Sequence, residues 1–270
     1  MPKINIETFD LGAVDRLSAQ DTPIHRLDGR AKLLTTMVFI VAVVSFGRYE
    51  VSALIPFLIY PAALCLWGNI PTSFLARKIA VVAPFAVLIG IFNPLIDRQI
   101  MMTLGPLEIS AGWISFASII VRFVLTVSAA LTLVAVTGFN SVCTAMGRLG
   151  VPQIFVTQLM FFYRYLFVLV DESLRMVRAR ALRTFNGKGT NIRTFGSMVG
   201  HLLLRTLDRA QRIHLAMSCR GFSGEIPAFK PLAFGPRDAA FVLGWSALFV
   251  GLRFFNLSRL IGESVTGIFT

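Results

Sequence analysis

Five apolar stretches limit what this chain of 270 residues can fold into. They cover residues 33–46, 51–67, 79–96, 111–137 and 239–255. About 20 apolar residues in a helix cross the hydrocarbon core of a bilayer, where the backbone must satisfy its own hydrogen bonds. Hydrophobic residues make up 55% of the chain and charged residues only 15%, which is too apolar for an ordinary globular domain. The sequence therefore predicts an all-α polytopic membrane protein with about five transmembrane helices.

The charge distribution predicts which segments face the cytoplasm. Arg26, Arg30 and Lys32 directly precede the first apolar stretch. Residues 164–237 hold 13 of the 26 Lys and Arg but only four acids. Basic segments beside membrane spans remain in the cytoplasm. Two cytoplasmic ends require an even number of crossings between them, so residues 153–170 are expected to lie in or below the interface.

These patterns divide the chain into four regions. We expect a cytoplasmic N-terminal lead (1–32), a four-helix transmembrane region (33–137), an arm of amphipathic helices (138–237), and a last transmembrane helix with its tail (238–270). The net charge of +12 is not accompanied by zinc-finger spacing or an aromatic RNA-binding signature. Membrane lipid is therefore expected as a partner and nucleic acid is not.

The arm is predicted to hold two amphipathic helices after a start signal at Gly150-Val151-Pro152. The first is expected to begin at Asp171 as N-cap and to end at Asn186-Gly187, and the second covers 197–220 and stops at Gly221. Their apolar stripes are Leu174, Val177, Ala181 and Phe185, then Val199, Leu203, Leu207, Ala210, Ile213 and Met217. Off these stripes lie Arg175, Arg178, Arg180 and Arg183, then Arg205, Arg209 and Arg212. The arginines either rest on anionic lipid or dock onto carboxylates of a partner.

One arginine lies deep in an apolar stretch. Arg122 is about ten residues into the span 111–137, where a charge is costly unless it pairs, so it is a candidate for an intramembrane or partner contact. Pro152 and Arg164 are further candidates for such contacts. Small residues on the same span favour close helix packing: Ser115, Ser118, Ser128, Ala129 and Ala130.

No catalytic or metal-binding pattern is present in the sequence. His25, His201 and His214 are scattered, the three cysteines are widely spaced, and Gly187-Lys188-Gly189-Thr190 lacks the spacing of a phosphate loop. We expect no catalytic residue, no cofactor and no metal in this chain. Such a membrane protein is expected to work through partners rather than as an enzyme.

Several segments resemble a known family in order and spacing. They are Asp15-Arg16-Leu17, then Thr22-Pro23-Ile24-His25-Arg26-Leu27-Asp28-Gly29-Arg30-Ala31-Lys32-Leu33-Leu34, Gly150-Val151-Pro152, the region of Arg164, and Met217-Ser218-Cys219-Arg220-Gly221-Phe222. Together they resemble the transmembrane T component of energy-coupling factor transporters, the CbiQ/EcfT family, and its cobalt or nickel type in particular.

The resemblance implies roles for particular residues. In that family two coupling helices each end in an Ala-Arg-Gly-like triplet that engages an ATPase subunit. The second triplet corresponds to Cys219, Arg220 and Gly221. The first corresponds either to Leu182-Arg183-Thr184 or to Ala179-Arg180-Ala181, and we prefer Arg183 because it is nearer the predicted helix end.

The resemblance also implies an ATP-driven importer in a bacterial or archaeal cytoplasmic membrane. Its partners would be two CbiO-like ATPase subunits, which bind ATP and Mg, and a CbiM-like substrate-binding membrane subunit, with a small accessory membrane subunit as an option. Cobalt or nickel is the expected cargo. The alternatives are the T subunit of a vitamin importer, or a membrane scaffold or lipid-modifying protein outside this transporter class, whose basic arm lies on lipid.

Overall fold

The structure is a computed structural model and describes residues 11–96, 100–104, 107–183, 192–224 and 234–254. The helices are α1 (Leu11–Ser18), α2 (Gly29–Val44), α3 (Ile59–Trp67), α4 (Thr72–Gly90), α5 (Phe92–Ile96), α6 (Ala111–Thr137), α7 (Phe139–Arg148), α8 (Gln153–Arg183), α9 (Ile192–Cys219) and α10 (Pro236–Phe254). A 3₁₀ helix, Ser52–Leu58, leads directly into α3. Strands β1 (Ile100–Leu104) and β2 (Leu107–Ser110) form a short antiparallel hairpin. The prediction of an all-α membrane fold is confirmed.

Helix boundaries follow from local chemistry. Asp28 is the N-cap of α2, and its carboxylate accepts a hydrogen bond from the backbone N–H of Arg30. Helix α6 ends where Gly138 adopts φ +78°, a conformation that favours glycine. Helix α4 continues through Pro84 but ends at Gly90, and α5 carries Pro94. The third apolar stretch is therefore divided between α4 and α5.

The chain divides into two units. One comprises Met1–Ala145 with Pro231–Thr270, and the other comprises Met146–Lys230 and contains α8 and α9. The core of the first unit is a cluster of aromatic rings from α2, the 3₁₀ helix, α3 and α10. Phe39, Phe57, Tyr60 and Phe249 are at most 1% exposed, and their ring centroids lie 4.8–6.0 Å apart. Each such pair contributes about 0.5–1.5 kcal/mol beyond the buried area.

Small residues allow α4 and α6 to pack closely. A Cβ added at Gly90 would lie 2.8 Å from the ring of Phe116, so only glycine fits at this position. On α6, Ser115, Ser118, Ser128 and Ala129 are buried as predicted, whereas Ala130 is exposed. Close approach of this kind drives helix association where lipid removes the hydrophobic force between helices.

Three described helical segments are long and apolar enough to cross a membrane: Thr72–Pro94, Ala111–Thr137 and Gln153–Arg183. The 3₁₀ helix and α3 together form a shorter apolar segment, Ser52–Trp67. The side chains of Val81, Phe85 and Leu88 on α4 are more than 60% exposed, which suits a face turned toward lipid. Helix α8 meets the length requirement, although the charge argument placed residues 153–170 at the interface; that placement stays a prediction.

Candidate functional site

The arm begins with a tight turn and a single long helix. Gly150 adopts φ +102°, Pro152 immediately precedes α8, and its carbonyl accepts the N–H of Phe155. The predicted start signal is thus confirmed. The prediction of a new helix at Asp171 is wrong, because α8 runs without a break from Gln153 to Arg183. The change from apolar to basic sequence near Asp171 marks a change in the surroundings of one helix, since good helix formers continue through it.

The second arm helix ends at Gly221, as predicted. Helix α9 finishes at Cys219, the N–H of Gly221 donates to the carbonyl of Ser218, and the N–H of Phe222 donates to that of Met217. Gly221 has φ +78°, so this is a Schellman motif. The motif terminates α9 immediately beside Arg220. The backbone therefore fixes the position of Arg220 relative to the end of α9.

The two arm helices form an antiparallel hairpin. Glu172 of α8 lies beside Arg205 and Arg209 of α9. Nearer the start of α8, the rings of Phe161 and Phe222 are 6.1 Å apart, and the Thr157 hydroxyl donates to the Gly224 carbonyl. Residues further along α8 thus contact residues earlier in α9, so the two helices are antiparallel.

A single carboxylate joins the two helices electrostatically. Glu172 accepts hydrogen bonds of 3.1 Å from Arg205 and from Arg175, and its other contact is with Arg209 at 3.7 Å. The Glu172 side chain is 17% exposed, whereas these arginines are 43–67% exposed. Sequence reasoning counted Glu172 only as one of four acids. The signal that points to it is an acid three residues before an arginine in a strongly basic region.

The phase of α9 differs from the predicted stripe by one residue in its first half. Val199, Leu203 and Leu207 are 47–57% exposed. Met198, Leu202, Thr206 and Arg209 are partly buried instead. Arg209, which was predicted to lie on the opposite face, is thus turned toward α8 by its contact with Glu172.

Between α8 and α9 lies a groove of about 640 Å³, which we call the α8–α9 groove. Its lining is mostly apolar and includes Phe161, Val168, Ile213 and Met217. Glu172, Arg205 and Arg209 line it as well. In this unit only Val156 and Thr157 of α8 are buried, and none of α9. The arm therefore presents apolar surface that it does not cover by itself.

The candidate coupling residues lie at two separate helix ends. Arg183 is the last residue of α8, and Leu182 beside it is 81% exposed. Arg180 lies in the same last turn and Ala179 is exposed, while Thr184, Phe185, Asn186 and Gly187 lie outside the described residues. At the end of α9, Cys219 and Arg220 are exposed. Phe222, two residues after Arg220, packs against Phe161 of α8. This end of the arm is therefore separated from Arg183 by about 22 residues of α8, or about 33 Å.

Comparison with known proteins decides the family. The family model CbiQ, described as cobalt transport protein, matches residues 20–229. The chain belongs to the CbiQ family. It is 26% identical over 224 residues to the cobalt transport protein CbiQ of Salmonella typhimurium, which covers 78% of this chain and 97% of that protein. It is 27% identical over 241 residues to the energy-coupling factor transporter transmembrane protein EcfT of Thermotoga maritima, covering 85% and 89%. An uncharacterized protein of Methanocaldococcus jannaschii is 28% identical over 230 residues, covering 82% and 78%.

Family membership confirms the resemblance to the CbiQ/EcfT family and the expected multi-pass membrane location. The matched range contains the last part of the N-terminal lead and both arm helices, so every candidate coupling residue lies within it. Arg164, also within it, is exposed on α8.

A buried network of charges fastens the end of the lead to α10. Asp238 accepts hydrogen bonds of 2.8 Å from the backbone N–H groups of Asp28 and Gly235. Lys32 is only 3% exposed, and its nearest charges are those of Asp238 and Asp28. Lys32 is therefore a buried charge close to two carboxylates, although its position before the first apolar stretch suggested a residue facing the cytoplasm. The sequence signal for Asp238 is an acid three residues after Gly235 at the start of an apolar stretch.

His25 of the same lead is held in its neutral form. Its Nε2 lies 3.1 Å from the carbonyl oxygen of Leu17, which can only accept, so this nitrogen carries the proton. Its Nδ1 then accepts the hydroxyl of Thr22 at 2.7 Å. Burial and the nearby charge of Lys32 lower the pKa of His25. The imidazole thus fixes α1 against the turn before α2.

One terminal nitrogen of the Arg122 guanidinium is paired within its own unit, whereas its buried Nε has no hydrogen-bond partner. Its guanidinium donates to the carbonyls of Phe46 and Gly47 at 3.1 and 2.6 Å, just beyond the end of α2. Arg253 of α10 donates to the carbonyl of Ser45, and its guanidinium lies over the ring of Phe46. Cations are favourable at the C-terminal end of a helix dipole. The intramembrane contact expected of Arg122 is therefore a helix cap.

Proposed function

We propose that this chain is the transmembrane coupling subunit of an ATP-driven importer and that it catalyses no reaction itself. The observation that supports this proposal is the pair of exposed arginine-bearing helix ends at Arg183 and Arg220, about 33 Å apart along α8. That separation exceeds what one small docking site spans. Each end is therefore free to engage a different copy of a paired ATPase.

The chemistry of each end suits docking onto an acidic groove. A guanidinium forks onto a carboxylate through two parallel hydrogen bonds, and it is more weakly hydrated than an ammonium group, so its desolvation on docking costs less. Gly221 fixes the backbone beside Arg220, so less conformational entropy is lost on binding at this end. ATP and Mg would bind the partner subunits.

We propose cobalt or nickel ion as the cargo and a separate CbiM-like membrane subunit as its binding protein. The description of the family as cobalt transport protein supports this choice. One relative is a putative fused cobalt transport protein CbiMQ from Methanocorpusculum labreanum, 29% identical over 89 residues. A vitamin cargo is the second candidate, because relatives named EcfT match at a similar level and that name specifies no metal.

The test of coupling is the stoichiometry of the complex. Native mass spectrometry of the chain co-expressed with its candidate ATPase subunits should show two ATPases bound to the wild type. Arg183→Ala and Arg220→Ala should each leave one, and the double variant none. The charge-matched control Arg178→Ala/Arg212→Ala, which changes exposed arginines away from the helix ends, should keep both. A double variant that still holds two ATPases would refute the proposal.

The test of cargo is uptake by cells that express the whole complex. Radioactive cobalt and nickel should accumulate in these cells and not in cells with the Arg183→Ala/Arg220→Ala double variant. Uptake of a vitamin without either metal would instead support the second candidate.

A further inference from the structure

The two oxygens of Glu172 are divided between α8 and α9. Oε1 accepts a hydrogen bond of 3.1 Å from Arg205 of α9. Oε2 accepts one of 3.1 Å from Arg175 of its own helix and lies 3.7 Å from Arg209, one helical turn after Arg205. The Glu172 side chain is only 17% exposed, so these three guanidinium groups largely shield the carboxylate from solvent.

The contacts nearer the start of α8 involve residues that follow α9. Phe222, whose ring lies 6.1 Å from that of Phe161, comes after the last residue of α9. Gly224, whose carbonyl accepts the hydroxyl of Thr157, lies further along the chain. These two contacts therefore hold the segment after α9 rather than the helix itself. The ion pairs of Glu172 act on α9 directly, near the middle of its length.

The ion pairs of Glu172 are better suited to orient the helices than to stabilise them. Arg205 and Arg209 are 64% and 43% exposed, and exposed ion pairs contribute little to stability. Without the carboxylate, Arg175 of α8 would face both arginines of α9 with no anion between them, and like charges repel. A carboxylate has about four acceptor sites, so Glu172 keeps contact with one arginine or the other when α9 turns slightly.

We propose that Glu172 is a positioning residue for coupling, because it keeps α8 and α9 crossing at one level while the two helices turn against each other. This inference rests on the proposed coupling function and deepens it. The ends at Arg183 and Arg220 bind the ATPases, and Glu172 determines how those ends move together. Without its charge the crossing slips along the helices. ATP hydrolysis then continues in the partner subunits, while less of its motion reaches the membrane subunit that binds the cargo.

The first measurement is the distance between the two helices in the purified full chain. Spin labels at Ala179→Cys and Phe195→Cys, both exposed positions, report this distance in a Cys219→Ala background, since the other two cysteines are buried. Glu172→Gln should broaden the distance distribution. Glu172→Asp keeps the charge and should broaden it less. The matched control Asp171→Asn removes an exposed carboxylate from the neighbouring position and should leave the distribution unchanged.

The second measurement is cargo uptake per ATP hydrolysed by the whole complex in proteoliposomes, with radioactive cobalt and nickel as the probes. Glu172→Gln should keep two bound ATPases and their rate of hydrolysis. Its uptake per ATP should fall about ten-fold, the factor that two partly exposed ion pairs are worth together. Arg205→Gln/Arg209→Gln should cause the same loss. Adding Glu172→Gln to that variant should cause no further loss, because these side chains act as one unit.

Unchanged distances together with unchanged uptake per ATP in Glu172→Gln would overturn the proposal. So would the loss of an ATPase from this variant, because Glu172 would then belong to the docking surface. An equal effect of Asp171→Asn would also overturn it, since net charge alone would then explain the result. A wild type that binds no ATPase would contradict the proposed function instead, and the spin-label distances would still decide the role of Glu172.

Discussion

Replacing Asp238 with Ala should undo the attachment of α10 to the start of α2. The carboxylate accepts backbone N–H groups of Asp28 and Gly235, each at 2.8 Å, and it faces the buried ammonium of Lys32. The substitution leaves the Asp28 N–H without an acceptor. It also leaves Lys32, 3% exposed, with Asp28 as its main counter-charge. Both groups stay buried, so neither recovers its hydration.

The expected loss of stability is set by the orphaned donor. An orphaned buried donor costs about 1–3 kcal/mol. Removing the Asp238 carboxylate also takes away one of the two charges that favour the charged form of the buried Lys32. We therefore expect Asp238→Ala to lower the free energy of unfolding by about 1–3 kcal/mol, the cost of the orphaned donor. Lys32→Met removes the stranded charge, and in the double variant the two effects should be coupled by about 1–3 kcal/mol.

The assay is unfolding of the purified chain in detergent, followed by tryptophan emission. Trp245 of α10 lies in the aromatic cluster, 6.3 Å from the ring of Trp67, so its emission reports detachment of α10. The control is Asp21→Ala, which removes an ion pair with Arg26 in which both side chains are more than 70% exposed. This control should leave the midpoint unchanged. An Asp238→Ala midpoint equal to that of the control would refute the reasoning.

Three further predictions concern the arm, α6 and the lead. Gly221→Ala should lower the free energy of local opening of the last turn of α9 by about 1–2 kcal/mol, because an L side chain is strained at φ +78°. Hydrogen exchange measures this change. In Gly200→Ala, inside the same helix with open space around it, the free energy of opening should rise instead. Arg122→Gln should lower stability by about 1–3 kcal/mol through uncapped carbonyls after α2, as thermal unfolding can measure, while the exposed Arg48→Gln should not. Burial lowers the pKa of His25, so its neutral form stabilises the fold fully above about pH 6.5 and this stability should decline as pH falls through the lowered pKa. His25→Gln should flatten that decline, and an unchanged pH profile would contradict the assignment.

Local features of the fold follow from the sequence because their causes are local. Apolar stretches, Pro152 before α8 and Gly221 after α9 act within a few residues of themselves, so their effects are visible in a short window. The predicted helix start at Asp171 was wrong because Asp, a common N-cap residue, also occurs on the exposed surface of a continuous helix, as it does here. Nothing within one turn distinguishes the two cases.

Features that join distant segments escaped prediction for a physical reason. Asp28 and Asp238 are 210 residues apart, and only the packing of α10 on α2 brings them together. The same packing buries Lys32, although its charge and its place before an apolar stretch indicate a surface residue. On α9 the stripe was chosen by hydrophobicity alone, but the charge of Glu172 on another helix determines which face turns inward.

The place of Glu172 along the hairpin has a mechanical consequence. It lies 11 residues before Arg183 on α8, and its partner Arg209 lies 11 residues before Arg220 on α9. The ion cluster therefore lies about 16 Å from Arg183 along α8 and about 16 Å from Arg220 along α9. A rotation of one helix against the other about this point would move both ends. Turning one helix against the other by about 10° would carry the two tips through equal arcs of about 3 Å. If two ATPases bind the tips, as proposed above, equal displacements of the tips would require them to move together.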